Sequence, residues 1–203
     1  MTQPAARRKP RPRDAEATKA LLLDAATDEF AEHGLAGARI DRIADRAGAN
    51  KRLLYVYFGD KNDLFDAVLQ EQTNAVLAAA PMDDGDLCDF AVTRFDYMLG
   101  DPRARRLAIW RTLERSEPTE GERQAFKARV EGVAAAQRAG RLRADIPAID
   151  LFAIVLRISE SWLSAPPGLL AAAGTATSAS RLRQHRAALL TAVRSITEPS
   201  RPS

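Results

Sequence analysis

The stretch AGANKRLLYVYFGDK, residues 47–61, holds two of the three tyrosines, a phenylalanine and three cations in a chain that is only 6% aromatic. Asn50 is a preferred N-cap residue and Gly59 is a helix breaker, so a short helix is predicted between them. Because so short a helix buries little by itself, we expect Leu54 and Phe58, four residues apart, to anchor it to a core. Its other side chains are then left for a partner.

Helical periodicity continues on both sides of this stretch. An apolar stripe predicts a first helix over about residues 15 to 33, which Gly34 ends in a left-handed conformation. A second, short helix begins at Ile40 and stops at the glycine of the quoted stretch. A fourth, long helix runs to Pro81. Three short helices with a sharp turn between the second and the third predict a helix-turn-helix.

The rest of the chain is also predicted to be helical. The segment PMDDGD, residues 81–86, is expected to separate two modules, and residues 165–180, rich in glycine, proline, alanine, serine and threonine, read as a long connection. The fold class is therefore all-α, with an N-terminal three-helix helix-turn-helix domain, a motif that places its second helix in the major groove of DNA, joined through the fourth helix to a C-terminal helical domain, about nine helices in all. Further helices are predicted near residues 86–99, 102–115, 119–139, 148–164 and 179–197.

Composition restricts the classes of function. The chain has 203 residues, enough to form a hydrophobic core that needs no disulfide or structural metal ion. Because Cys88 is the single cysteine, neither an internal disulfide nor a multi-cysteine metal site can form. No leader-like or membrane-length apolar run is present, so a cytoplasmic protein that does not contact a membrane is expected. No metal-ligand spacing, phosphate-binding glycine loop or catalytic constellation is found, so we predict no enzyme activity, no cofactor and no metal.

The charge is placed unevenly. Five cations and no acid precede residue 14, whereas the whole chain carries a net charge of only +3. This segment reads either as a disordered basic arm that reaches for a polyanion or as a solvated terminus without a role. Its cations are Arg7, Arg8, Lys9, Arg11 and Arg13.

Two segments resemble the tetracycline-repressor (TetR) family of bacterial transcription regulators: LLLDAATDEFAEHG, residues 21–34, and IDRIADRAGANKRLLYVYFGDKNDL, residues 40–64. The resemblance implies a DNA-binding domain over residues 14–62, preceded by the arm over 1–13, and an effector-binding and dimerisation domain over 63–203. It also makes a DNA contact by the arm the better interpretation, since arginine is favoured in a narrow minor groove.

The resemblance implies the DNA-contacting positions residue by residue. The backbone would be held by Asn50, Lys51, Tyr55, Tyr57 and Lys61, and bases would be approached by Arg52 and Leu53. Lys61 has a further argument, since free amides in the first turn of the fourth helix would attract a phosphate; the alternative is a solvated lysine. At the start of the second helix, where the family often has serine or threonine, this chain has Arg39. An arginine side chain cannot cap a helix, so either the second helix frays or Arg39 binds a phosphate.

The C-terminal region is predicted from the same resemblance. A subset of its aromatic residues and a methionine would line an effector cavity, although any one of them could instead fill a core. They are Phe90, Phe95, Met98, Trp110, Phe126 and Phe152. The last two long helices would pair with those of a second copy. The residues expected in that interface are Leu151, Val155, Ile158, Trp162, Leu182, Leu189 and Val193.

The predicted function is a DNA-binding transcription regulator, a homodimeric repressor of a palindromic operator that an unknown small-molecule effector releases. The partners are therefore double-stranded operator DNA, a second copy of the chain and that effector. The alternative is a DNA-binding protein without a small-molecule ligand, which acts as an activator or is controlled by a protein partner.

Overall fold

The computed structural model describes residues 12–115, 117–174 and 177–199. All regular structure in these ranges is helical, which confirms the all-α prediction. None of the helices in the described ranges is long and apolar enough to cross a membrane. The α-helices are α1 Pro12–Gly37, α2 Ile40–Arg46, α3 Lys51–Phe58, α4 Lys61–Ala79, α5 Leu87–Gly100, α6 Pro102–Glu114, α7 Glu120–Arg138, α8 Ala148–Ile158, α9 Pro167–Ala172 and α10 Ala179–Thr197, and a 3-10 helix spans Asp83–Gly85.

Three boundaries differ from the prediction. Helix α1 begins at Pro12, a residue suited to a first helical position, and continues for one turn beyond Gly34. Gly34 has φ +66° and ψ −178°, so the left-handed conformation predicted for it is present, but as a break within the helix. Helix α8 ends at Ile158, with turns as far as Ser164, and α9 occupies part of the segment expected to be a bare connection.

The chain divides into two compact units. The first comprises the described residues within Met1–Glu71 and Arg106–Ser116, and the second those within Gln72–Arg105 and Glu117–Ser203. The division passes through α4 and α6, whereas the boundaries expected from the sequence lie after residue 62 and at residues 81–86.

The core of the first unit is built from the stripe of α1 and the inner faces of α2, α3 and α4. Leu22, Phe30, Ile43 and Leu54 have no exposed surface, which confirms the predicted anchor of the third helix. Phe30 and Phe65 meet edge to face with ring centroids 4.9 Å apart, an arrangement that aromatic pairs favour. This core fixes the orientation of α2 and α3.

The second unit has its own core, in which α10 and α8 pack on α5, and α7 packs on α8. Asp86 begins α5 by accepting hydrogen bonds from the amides of Cys88 and Asp89, both at 2.9 Å. Thr119 and Glu122 form a reciprocal capping box at the start of α7. The buried residues include Ala80, Leu87, Ala91, Val92, Val133 and Leu189.

Candidate DNA-binding surface and effector region

The turn between α2 and α3 is fixed by backbone hydrogen bonds and one glycine. The amide of Ala49 donates to the carbonyl of Ala44 at 3.0 Å, and that of Gly48 donates to Asp45 at 3.1 Å. Gly48 has φ +60°, which a side chain would disfavour. Asn50 then caps α3, because its Oδ1 accepts from the amide of Arg52 at 2.8 Å. The N-cap predicted from the sequence is confirmed.

Helix α3 divides into a buried side and an exposed side. Leu54 is fully buried, and Leu53, Tyr57 and Phe58 pack partly against the same core. Lys51, Arg52, Tyr55 and Val56 are exposed and form one helical surface, which we call the reading face.

Tyr55 is 49% exposed and Val56 is 65% exposed. Val56 thus joins the candidate contacts, on the side of the helix that the sequence leaves for a partner, where the helical period places it beside Arg52. The predicted contacts Leu53 and Tyr57 lie at the edge of the reading face rather than on it, since both pack partly on the core.

Arg52 on the reading face and Arg39 before α2 are cations without a carboxylate partner among the described residues. Arg39 and Arg52 are exposed, and neither side chain forms an ion pair with any residue in the described ranges. Lys51 differs, because its Nζ lies 2.7 Å from Oδ1 of Asp41, and this hydrogen bond raises the pKa of Lys51. A phosphate would have to compete with Asp41 for that lysine.

A buried glutamate of α1 holds the start of α2. Arg39 stands at the N-cap position without a capping side chain, as predicted, but its amide donates to Oε1 of Glu29 at 2.8 Å. The same oxygen accepts from Nε of Arg42 at 2.8 Å and from Nη2 at 2.5 Å. Nη2 also donates to the carbonyl of Gly37 at 3.0 Å.

Glu29 is only 1% exposed, and burial alone would raise its pKa. The hydrogen bonds from Arg42 and from the amide of Arg39 outweigh burial, so the pKa of Glu29 lies below its usual value. Glu29 therefore remains charged and joins α1 to the start of α2. No pattern in the sequence indicates this contact, because the three residues come together only in the fold.

The start of α4 corrects part of the argument for Lys61. Oδ1 of Asp60 accepts from the amides of Asn62 and Asp63 at 2.7 and 3.0 Å, so these first-turn amides are not free for a phosphate. These bonds lower the pKa of Asp60, which is therefore an anion at neutral pH. The ammonium group of Lys61 donates to the carbonyl of Ala38 at 3.4 Å. A phosphate contact by Lys61 then depends on its own charge alone.

The predicted arm is mostly outside the part of the chain that the structure describes. Arg7, Arg8, Lys9 and Arg11 precede the described residues, and the side chain of Arg13 is outside them as well. Their contact with DNA stays a prediction.

The residues predicted to line an effector cavity do not all lie together. Phe90, Phe95, Met98 and Phe152 are buried in the second unit, and Phe126, 42% exposed, packs on Phe152 with ring centroids 6.2 Å apart.

Trp110 belongs to the first unit instead and packs against the core of that unit. Its Nε1 donates to the carbonyl of Ala31 at 3.3 Å, and its ring covers Gly34, where an added Cβ would lie 2.7 Å from an indole carbon. Spacing along the chain does not reveal which of two cores an aromatic residue joins.

Four of the predicted interface residues are core residues of a single chain. Leu151, Val155 and Val193 have no exposed surface, and Leu189 is 2% exposed, so they have no surface left for a second copy. Ile158, Trp162 and Leu182 are only partly buried and remain accessible. The large apolar residues of α8 that are exposed are Ile149 and Ile154.

Cys88 shows no sign of a reactive thiol. Burial raises its pKa, which disfavours the thiolate. It borders a depression of about 420 Å³ that contains none of the predicted effector residues. No group of three or more histidine, cysteine or carboxylate side chains in the described residues is arranged to hold a metal ion.

The capped recognition helix, held by a buried anchor beside a second helix, defines a helix-turn-helix DNA-binding protein. Residues 22–68 match the family model for bacterial regulatory proteins of the tetR family, and residues 86–195 match that for the tetracyclin repressor-like C-terminal domain. The chain belongs to the TetR family and is a DNA-binding transcription regulator.

Relatives and solved structures agree with this assignment. The chain is 40% identical over 159 residues to the HTH-type transcriptional repressor SCO4008 of Streptomyces coelicolor, covering 76% of this chain and 82% of that protein. The crystal structure of the transcriptional regulator SCO4942 of S. coelicolor superposes with a TM-score of 0.79 at 33% identity, over 91% of this chain and 99% of that one. A SmeT–triclosan complex shares the fold, with a TM-score of 0.62 at 19% identity over 90% and 92% of the chains.

Proposed function

We propose that this regulator is a cytoplasmic repressor that binds a palindromic operator as a homodimer and is released by a small molecule bound in its second unit. The reading face of α3 is the observation that carries the proposal. It presents the cations Lys51 and Arg52, the phenolic hydroxyl of Tyr55 and the exposed side chain of Val56. The opposite side of the same helix is fixed in the core. Such groups suit phosphates, base edges and thymine methyl groups in the major groove.

Two copies are needed because one short helix reads few base pairs. Dimeric helix-turn-helix proteins read half-sites about 34 to 36 Å apart, and the symmetry of the site follows that of the protein. Support comes from the exposed or partly exposed apolar side chains of α8, α10 and the turns between them, namely Ile149, Ile154, Ile158, Trp162 and Leu182. We assign the dimer surface to these residues, and not to those that fill the core of one chain.

Repression and release are supported by the named relatives. SCO4008 of S. coelicolor, of which this chain covers 82%, is called a repressor. SmeT, which shares only the fold, was solved with triclosan. The two parts of the proposal, operator binding and release by a small molecule, can fail separately. If the protein binds operator DNA but responds to no small molecule, the first part stands and the second fails.

The first half is tested by selecting bound sequences from random duplex DNA and then sedimenting the complex on the selected site. We expect a two-fold symmetric sequence that binds an even number of chains. Enrichment of an asymmetric site, or of no sequence, would contradict the binding of a symmetric operator by a dimer.

The arm is tested on the selected operator by removing residues 1–13. The truncated protein is expected to bind more weakly and to depend less on salt. The slope of the logarithm of the binding constant against the logarithm of the salt concentration should become less negative by about 0.9 for each phosphate that the arm neutralises in the intact protein. An unchanged salt slope would show that the arm neutralises no phosphate.

A further inference from the structure

A row of three phenylalanines in the second unit runs from the core to the surface. The rings of Phe90 and Phe152 are buried with centroids 5.4 Å apart, and Phe126 continues the row beyond Phe152. Because Phe126 is 42% exposed, the row ends in an accessible apolar surface. An apolar molecule can therefore reach the aromatic cluster from the side of α7.

A buried arginine with an unsatisfied donor stands beside this row. Arg94 lies one turn after Phe90 on α5 and is 8% exposed. Its Nη2 pairs with Glu160, but its Nε is buried without a hydrogen-bond partner. Glu160 also pairs with Arg157 at 3.1 Å, so one carboxylate is shared by two guanidinium groups.

A second arginine increases the surplus of positive charge. Arg129 lies one turn after Phe126 on α7, and its guanidinium carbon is 5.8 Å from the centroid of Phe90. No carboxylate in the described ranges pairs with it; its Nη2 donates to the carbonyls of Ala80 and Leu77 at 2.9 and 3.4 Å. Burial, and then the charge of Arg94, lower the pKa of Arg129.

A buried or half-buried cation without a counter-ion is costly, so this cluster is built to gain from an anion. A carboxylate matches the planar fork of a guanidinium group and forms charge-assisted hydrogen bonds with it. We propose that the effector is an amphipathic carboxylate, whose anionic group binds Arg94 and Arg129 while its apolar body packs on Phe126 and Phe152. This inference rests on the proposed release by a small molecule and adds the chemical class of that molecule.

The same arginine connects the site to α4. Leu77 and Ala80 lie at the C-terminal end of α4, where the helix presents unsatisfied carbonyls, and Arg129 satisfies two of them. A carboxylate bound to Arg129 would engage the same guanidinium group whose Nη2 donates to these carbonyls. The proposed site therefore adjoins the C-terminal end of the helix whose first turn follows the recognition helix.

The test compares matched probes that differ only in charge: 2-naphthoate with 2-naphthamide, and octanoate with octanamide. Calorimetric titration of the full-length protein is expected to show that each carboxylate binds at least about tenfold more tightly than its amide. The R129Q variant should lose this preference while it still binds the amides, because its phenylalanines are unchanged. The matched control R138Q alters an arginine on the same helix that is 65% exposed, and should keep the preference.

Equal binding of acid and amide, a preference for the amide, a preference that survives R129Q, or no binding of any probe would overturn the proposal. R129Q is used because Arg94 is so deeply buried that its replacement could unfold the unit. Operator release separates the two proposals. If amides release the operator and carboxylates do not, release by a small molecule stands and the anion site fails. If carboxylates bind through Arg129 without changing operator affinity, the anion site stands and release fails.

Discussion

Replacing Glu29 with glutamine should loosen the helix-turn-helix without touching the reading face. The E29Q variant keeps the size of the side chain but removes the charge that accepts from the amide of Arg39 and from two nitrogens of Arg42. Breaking a fully buried ion pair costs about 3 to 5 kcal/mol. The side chain of Arg42 is 39% exposed, so it regains water when the carboxylate is removed. We therefore expect the free energy of unfolding of the first unit to fall by about 2 kcal/mol.

Trp110 provides the assay. The chain has two tryptophans, and in a W162F background Trp110 remains as a reporter that packs in the first unit. Urea unfolding followed by its fluorescence gives the midpoint and the slope, and the slope should not change. The control E32Q removes an acid from the same helix that is 55% exposed, and should leave the midpoint in place.

The pH dependence gives an independent check. Because the pKa of Glu29 is lowered in the folded protein, its charge contributes stability above the pKa of the unfolded chain, about 4.3. That contribution disappears as the pH falls through the folded pKa. The difference between the native protein and E29Q should therefore be full at pH 7 and shrink at pH values below about 4. Equal stability at pH 7, or a gap that does not shrink in acid, would refute the role given to this carboxylate.

Three further predictions concern neighbouring positions. G34A should lower the free energy of unfolding of the first unit by about 3 kcal/mol, since its backbone conformation is almost restricted to glycine and the added Cβ would meet the indole of Trp110; urea titration showing a decrease of less than about 1 kcal/mol would contradict this. N50A should cost about 1 kcal/mol in the same titration because the cap of α3 is removed, and an unchanged midpoint would show that the cap is dispensable. D41N should tighten operator binding roughly threefold in fluorescence anisotropy, because Lys51 is released from a surface ion pair; weaker binding would show that Asp41 positions the lysine for DNA.

The helices that depend on local signals were predictable. Helix α3 lies between Asn50 and Gly59 as expected, because a cap and a breaker act within a few residues, and α10 spans Ala179–Thr197 as predicted. Periodicity also identified Leu54 as an anchor. Local chemistry is enough for such features, since each depends on residues one helical turn apart.

The features that were missed depend on contacts between distant residues. Glu29 reaches Arg42 only when α1 and α2 pack together, and Trp110 meets Ala31 across 79 positions of the chain. Periodicity likewise shows that Val155 is on an apolar face, but not that the core of its own chain covers that face. The same limit applies to Arg129, because the sequence does not show that it lacks a carboxylate partner among the described residues.

The reading face of α3 is expected to select the bases of the operator, once in each half-site of the complex. Site selection from random duplex DNA, performed in parallel with the native protein and with R52Q, tests this claim most directly. Arg52 is exposed and unpaired within the described part of the chain, so its replacement should leave the fold intact and alter the selected bases. We predict two symmetric sites whose consensus differs at the same distance on either side of the dyad. An identical consensus for both proteins, or a change on one side only, would contradict selection of the bases by α3 in both half-sites.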